Sequence, residues 1–193
     1  MPKPSLTEKD YQEAADRLGC EVAAIKAVAE IESGPYGAFL DTDEPVLLFE
    51  RHLFRKLTNG KYDEFPDISN PRPGGYGKVN QQHARLQKAA ALDRNAALQS
   101  ASWGRFQVLG VNWSWLGYES LQEFINAMYS SEKDHLDSFV RFVEKRGLVG
   151  ALRRKDWRTF ARLYNGPAFA KHKYHIRMAA AYKKHAGESV QGG

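Results

Sequence analysis

The chain has 193 residues, of which 42% are hydrophobic and 26% charged, and its net charge is +5. That balance is ordinary for a globular chain, and the length suffices to bury a core without staples. A single cysteine, Cys20, excludes an internal disulfide and a cysteine-based zinc site, and reads as a small buried hydrophobe in a protein made in a reducing compartment.

Thr7-Glu8-Lys9-Asp10 opens a helix, with Thr7 as N-cap and acids in the first turn. The residues before it lack the apolar stretch of a secretory signal, and no apolar run in the chain approaches the length of a membrane span. Gly19 ends the first helix. A second runs from about Glu21 to Ser33, where Val22, Ile25, Val28, Ala29 and Glu32 recur at helical spacing, and Gly34-Pro35 stops it. Tyr36 to Asp43 is a turn-rich connection. Pro45 to Arg51 is the best strand candidate, with Val46, Leu48 and Glu50 on one face. Thr58 to Asn80 is rich in Gly, Pro, Asn and Asp and reads as a structured surface loop.

From there the chain reads as helical. Gln81–Leu98, Leu121–Tyr129, Ser131–Lys145, Asp156–Tyr164 and Ala168–Lys184 are the expected helices, with Ser131 and Asp156 as N-caps. The fold class is therefore mainly α, with a small β element near the N-terminal third. Residues 1–186 are expected to form one domain and 187–193 a flexible tail. Between Arg141 and His185 there are thirteen Lys and Arg against two acids, so this stretch carries +11 and the remainder −6. Such a basic end suits an anionic membrane surface or wall polymer, or simply a solvated helical face.

Glu32 is the residue that carries chemistry. At 100° per residue it falls between Ile25 and Val28, on the apolar face, while Glu30 falls on the polar side. Burial and the negative end of the helix dipole both raise its pKa, as a general acid working near neutral pH requires. The alternative is a partly exposed glutamate at a helix end. A general acid commonly works with a second carboxyl group placed in a different environment. Asp41, Asp43, Glu44 and Glu50 are the candidates. Asp41 and Asp43 suit turns, and Glu50 shares a strand face, although Arg51 or Arg55 would also serve it as a salt-bridge partner.

Three segments then appear in order: Glu32-Ser33-Gly34 at a helix end, Ser102-Trp103-Gly104-Arg105-Phe106-Gln107, and Tyr164-Asn165-Gly166. Together they resemble the lysozyme-like superfamily. With Phe49-Glu50-Arg51-His52 and Pro71-Arg72-Pro73-Gly74-Gly75-Tyr76-Gly77 added, the chain from Tyr11 to Lys184 is similar to the phage and prophage endolysin N-acetylmuramidases. The resemblance implies a lysozyme-like α+β fold and cleavage of peptidoglycan beside N-acetylmuramic acid. It carries the catalytic acid onto Glu32 and prefers Glu50 as the second carboxylate. It makes Ser102, Gln107, Tyr164, Asn165 and Tyr76 candidates for substrate binding. No cofactor or metal is implied, and the six histidines show no ligand pattern, with His172 and His175 expected as an exposed pair. Trp103, Trp113, Trp115 and Trp157 are expected in the core rather than the cleft, and Phe106 is as much a core residue as a sugar contact.

Such an enzyme is expected to be monomeric, to bind peptidoglycan rather than nucleic acid, and to be made in the bacterial host cytoplasm. Without a signal peptide or room for a wall-binding domain, it would reach the wall through a membrane lesion made by a partner. Two other readings stay open. A lytic transglycosylase would use the same acid and leave 1,6-anhydromuramic ends. A non-enzymatic cationic binding protein would use the basic helices alone.

Overall fold

Residues 3–33 and 37–190 are described by the computed structural model. At the front, the Thr7 hydroxyl accepts from the Asp10 N–H and the Asp10 carboxylate accepts from the Thr7 N–H, a capping box that starts α1 (Glu8–Leu18). Gly19, in the left-handed region, closes that helix. Helix α2 (Val22–Ser33) follows, and its Ala23, Ala24, Ile25, Ala27, Val28 and Ala29 are all buried. A helix so rich in alanine admits close neighbours: α1 packs on it, and so does the last helix, α10 (Tyr174–Val190), through Met178 and Ala181. Full burial of Ile25 and Val28 contributes about 1.5–3 kcal/mol each. The expected stop at Gly34-Pro35, and Tyr36, lie outside the described residues.

The β element is shorter and more complex than the sequence suggests. Strand β1 (Leu47–Phe49) is only three residues, and it pairs antiparallel with β2 (Ala101–Trp103), which pairs with β3 (Val108–Leu109). The last two strands are too short to give a readable alternation. The buried side chains of β1 are Leu47 and Phe49, and Val46 before the strand is buried too, so Leu48 and Glu50 do not share a buried face with Val46 as expected. Glu50 lies past the strand, as N-cap of α3 (Arg51–Leu57). Trp103, fully buried, donates its indole N–H to Leu98 O and fixes the sheet against the preceding helix.

The helix expected over Gln81–Leu98 is two helices, α4 (Gln82–Ala90) and α5 (Arg94–Gln99). Asp93 divides them, because its side chain accepts from the Ala96 N–H and caps the second. Helices α6 (Leu121–Ser130) and α7 (Glu132–Lys145) begin on Ser120 and Ser131 caps. The short α8 (Val149–Arg153), unpredicted, precedes α9 (Trp157–Tyr164), which the Asp156 side chain caps. A 3-10 turn at Pro167–Ala170 replaces the expected start of the last helix at Ala168. Helix α10 also continues past Gly187 to Val190, further than the tail expected from 187 onward, and residues 191–193 lie outside the described set. Among the described residues no helix is long and apolar enough to cross a membrane.

The turn between β2 and β3 is held from the side by α7. His135, 1% exposed, places Nε2 at 2.8 Å from Met128 O and accepts the Arg105 N–H on Nδ1 at 3.1 Å. Both contacts are satisfied only by the neutral ring, and burial lowers its pKa to about 4. Gly104 makes this approach feasible. Its φ is +67°, and a Cβ there would stand 2.7 Å from the His135 ring. Gly104→Ala is therefore expected to cost about 2–4 kcal/mol in urea unfolding. Gly147→Ala has a similar φ of +71° with nothing within 4 Å, and should cost only about 1 kcal/mol. Equal costs would show that the His135 contact is not what constrains the turn.

Candidate active site

Glu32 sits in the last turn of α2, and the C-terminal end of α9 meets it there. The Asn165 amide donates to Glu32 Oε1 at 2.9 Å. Tyr164, the residue before, donates its hydroxyl to Phe106 O at 2.7 Å and so ties α9 to the β2–β3 turn. That turn presents Gln107, whose φ of +49° is unusual for a residue with a side chain and whose amide donates to Gly104 O. Three segments distant in sequence thus meet at one place: Glu32, Gln107 and the Tyr164–Asn165 pair.

A cleft of about 450 Å³ is lined by Gln107, Asn112, Trp115, Arg146, Tyr164 and Asn165 among others, and Glu32 stands behind its Asn165 wall, joined to it by the Asn165 hydrogen bond. The Glu32 carboxyl is crowded by protein atoms, and burial pushes its pKa up to about 7, against the opposing effects of the Asn165 hydrogen bond and the Arg177 charge. The Tyr164 phenol is raised well above its ordinary value by burial and by Glu32, so it stays a donor to Phe106 O. Asn165 Oδ1 is buried without a hydrogen-bond partner, which leaves one acceptor unused beside the acid.

Glu50 has a different set of neighbours. The Tyr76 hydroxyl donates to its carboxylate at 3.1 and 3.2 Å, and His52 Nδ1 lies 3.2 Å away. Burial raises its pKa, while Tyr76, His52 and Arg85 act to lower it. Arg51 and Arg55, the partners considered from sequence, are engaged elsewhere: Arg51 donates to the carbonyls of Arg72 and Pro66, and Arg55 pairs with Asp63. Of the expected substrate contacts, Gln107, Tyr164 and Asn165 are brought together with Glu32, whereas Tyr76 is placed against Glu50. Ser102 is buried in β2, opposite Leu48 and Leu109. Phe106 stacks on Phe139 at 4.6 Å and is a core residue. Asp41 and Asp43 are exposed in a turn, with Asp43 at φ +61°.

Trp115 corrects an expectation. It is 40% exposed and lines the cleft, held edge-on against Phe142 at 5.6 Å. The sequence gives its neighbours no periodicity that would have separated it from the other tryptophans. His175 is half-buried against the Phe169 ring rather than fully exposed with His172. Among the described residues no group of His, Cys, Asp and Glu could hold a metal. Cys20 is half-buried, and burial pushes its thiol up to about 11, which makes it inert. His135 escaped notice, although its spacing from Leu136, Phe139 and Val143 put it on the apolar side of α7, where a histidine needs partners.

The family model for muramidase, described as N-acetylmuramidase, matches residues 21–186. Among solved structures, the crystal structure of Burkholderia AP3 phage endolysin superposes with a TM-score of 0.87 at 39% identity, over 96% of this chain and 72% of that chain. A comparison with curated proteins gave no match.

The acidity of Glu32 has a measurable effect on stability. Its folded pKa of about 7 lies above the ordinary 4.5, so the folded state holds its proton more tightly. Stability from this group is full below pH 4.5 and falls as pH rises through 7, by about 3 kcal/mol at most. Glu32→Gln keeps the acceptor for Asn165 and removes the charge. In urea unfolding it should match the parent at pH 4 and exceed it by about 2–3 kcal/mol at pH 8. A difference independent of pH would show that the carboxyl is not buried as charge.

Proposed function

The chain belongs to the N-acetylmuramidase family, glycoside hydrolases acting on peptidoglycan, and from that premise we propose that Glu32 is the catalytic acid of an endolysin. The observation that carries this is the hydrogen bond from Asn165, a residue of the cleft wall, to the Glu32 carboxyl, whose pKa burial pushes up to about 7. In this reading the bond between N-acetylmuramic acid and N-acetylglucosamine lies across the cleft. Glu32 donates its proton to the bridging oxygen as that bond breaks and positive charge grows on the muramic acid carbon. Asn165 orients the acid through its amide, and its unused Oδ1 accepts from an acetamido N–H. Gln107 offers its side-chain amide from the opposite wall. Water then completes the hydrolysis, and the cut wall fails.

Glu50 is our second carboxylate, in preference to the exposed Asp41 and Asp43, because it is half-buried and fixed by Tyr76 and His52. Those same contacts favour a second reading. A carboxylate so engaged is an anchor for the Tyr76 loop, and a lytic transglycosylase, which needs one acid, would work without it. Product analysis separates the two. Mass spectrometry of fragments from purified peptidoglycan should show reducing muramic acid ends, and Glu32→Gln should lose at least about 10³-fold in rate. Glu50→Gln should lose about 10²-fold or more if it is the second carboxylate. Anhydro ends lighter by one water, with Glu50→Gln unimpaired, would establish the transglycosylase. An active Glu32→Gln would end the assignment of the acid.

The basic end supports a further partner. Arg158, Lys173, Arg177 and Lys183 are exposed and make no salt bridge among the described residues, whereas Lys155 and Lys184 are paired with Glu21 and Glu30. They surround Ile176, 56% exposed. We assign this face to an anionic wall polymer or membrane, which the enzyme meets after release from the host cytoplasm through a membrane lesion. Arg158→Glu with Lys183→Glu should weaken co-sedimentation with walls or anionic vesicles at low salt, and unchanged binding to both would remove the assignment.

A further inference from the structure

Two residues of the cleft wall, Trp115 and Arg146, are not used by the catalytic reading. Tyr164 meets Phe142 edge-on at 5.2 Å, and Phe142 meets Trp115 edge-on at 5.6 Å, so two ring-to-ring steps lead from the Glu32–Asn165 pair to an exposed indole. Trp115 is anchored by its neighbour Leu116, which is fully packed, yet leaves 40% of its own surface open on the cleft. A large aromatic side chain held from behind and bare in front is suited to lie against the apolar face of a sugar ring.

Arg146 lines the same cleft. It is exposed and makes no salt bridge among the described residues. The acids on its own helix are already engaged: Glu132 by Arg105, Asp134 by the Ser131 hydroxyl, Asp137 by Arg17 and Arg141, and Glu144 by Arg17. A cation at the C-terminal end of α7 is favoured by the helix dipole. That preference is met equally by Lys145, and it does not account for an unpaired guanidinium in a cleft wall otherwise lined by neutral side chains. Guanidinium is the group that binds carboxylate in two parallel hydrogen bonds.

We infer that Trp115 and Arg146 form a subsite for a sugar residue that bears a carboxylate, which makes the enzyme select acidic glycan over neutral glycan. The inference rests on the glycan-cleaving reading above and names what that cleft prefers. In peptidoglycan the carboxylate has two sources. One is the lactyl group of a muramic acid stripped of its peptide, and the other is the peptide itself.

The test uses soluble glycan strands in three forms: carrying peptides, stripped by an amidase so that the lactyl carboxylate is free, and stripped then converted to the neutral N-methyl amide. The parent enzyme should cut the two acidic forms with higher kcat/KM than the neutral one. Arg146→Gln should lose about tenfold or more on acidic strands through KM, with kcat nearly kept, and should be unchanged on neutral strands. Arg146→Lys should restore part of the loss, as a charge without the bidentate geometry. Trp115→Ala should raise KM on all three. A loss confined to peptide-bearing strands identifies the peptide as the source, and a loss on stripped strands identifies the lactyl group. An Arg146→Gln effect equal on acidic and neutral strands, or absent from both, overturns the inference while leaving the hydrolase reading intact. A parent enzyme that cuts none of the three overturns that reading, and this subsite with it.

Discussion

The crowding of one carboxyl group at the end of an alanine-rich, buried helix is the constraint on which the rest depends. Helix α2 is so rich in alanine that α1 and α10 close on it, and Glu32 is carried into the protein with its last turn. An ionised carboxylate there would be costly without a partner. The partner supplied is modest: one amide hydrogen bond from Asn165 and the more distant charge of Arg177. A salt bridge in its place would lower the pKa, whereas a neutral amide leaves it raised. That amide has to be held in place by the remainder of the fold.

Holding it is the task of a second buried titratable group. His135 fixes the β2–β3 turn, that turn supplies Phe106 O to the Tyr164 hydroxyl, and Tyr164 precedes Asn165. His135 and Glu32 are displaced in opposite directions. The histidine, lowered to about 4, keeps its contribution above pH 6.5 and loses it as pH falls through 4. The glutamate keeps its contribution below pH 4.5 and loses it as pH rises through 7. Each displacement is worth about 3 kcal/mol, so between pH 4 and 7 the two slopes nearly cancel. These two groups together therefore contribute little net slope to the stability over that range, although each is strongly displaced by itself.

What the sequence could say followed from how local the signal was. The helix α2 itself and the burial of Ile25, Val28 and Ala29 on it were legible because one helix and its 100° spacing decide them. Thr7, Ser131 and Asp156 were legible as caps for the same reason. The strand-face argument for Glu50 failed because β1 ends at Phe49, and the residue after it turns into α3. The sheet itself was invisible, since β2 and β3 are too short to show a period of two. Trp115 was misplaced because its exposure depends on Phe142, a contact between segments that no window on the sequence contains. Whether the unused ionic groups meet an acid was equally hidden, and it decides which of the many basic residues near the C-terminal end are surface neutralisation and which are available.

Those available cations fall in two separate places. Arg17, Arg141, Lys155 and Lys184 neutralise the acids of the helices they touch and tie them together. Such exposed pairs contribute little individually. The net charge of this end therefore says less than the positions of the residues left over. Arg146 is left over inside the cleft wall, and Arg158 and Lys183 are left over on an outer face. A polyanionic wall would meet the outer cations first, at long range and with strong dependence on salt. It would meet Arg146 only once a strand has entered the cleft, where the contact is short and geometric. On the proposed reading, attraction to the wall and selection of the residue to be cut are separate physical problems, met by different side chains.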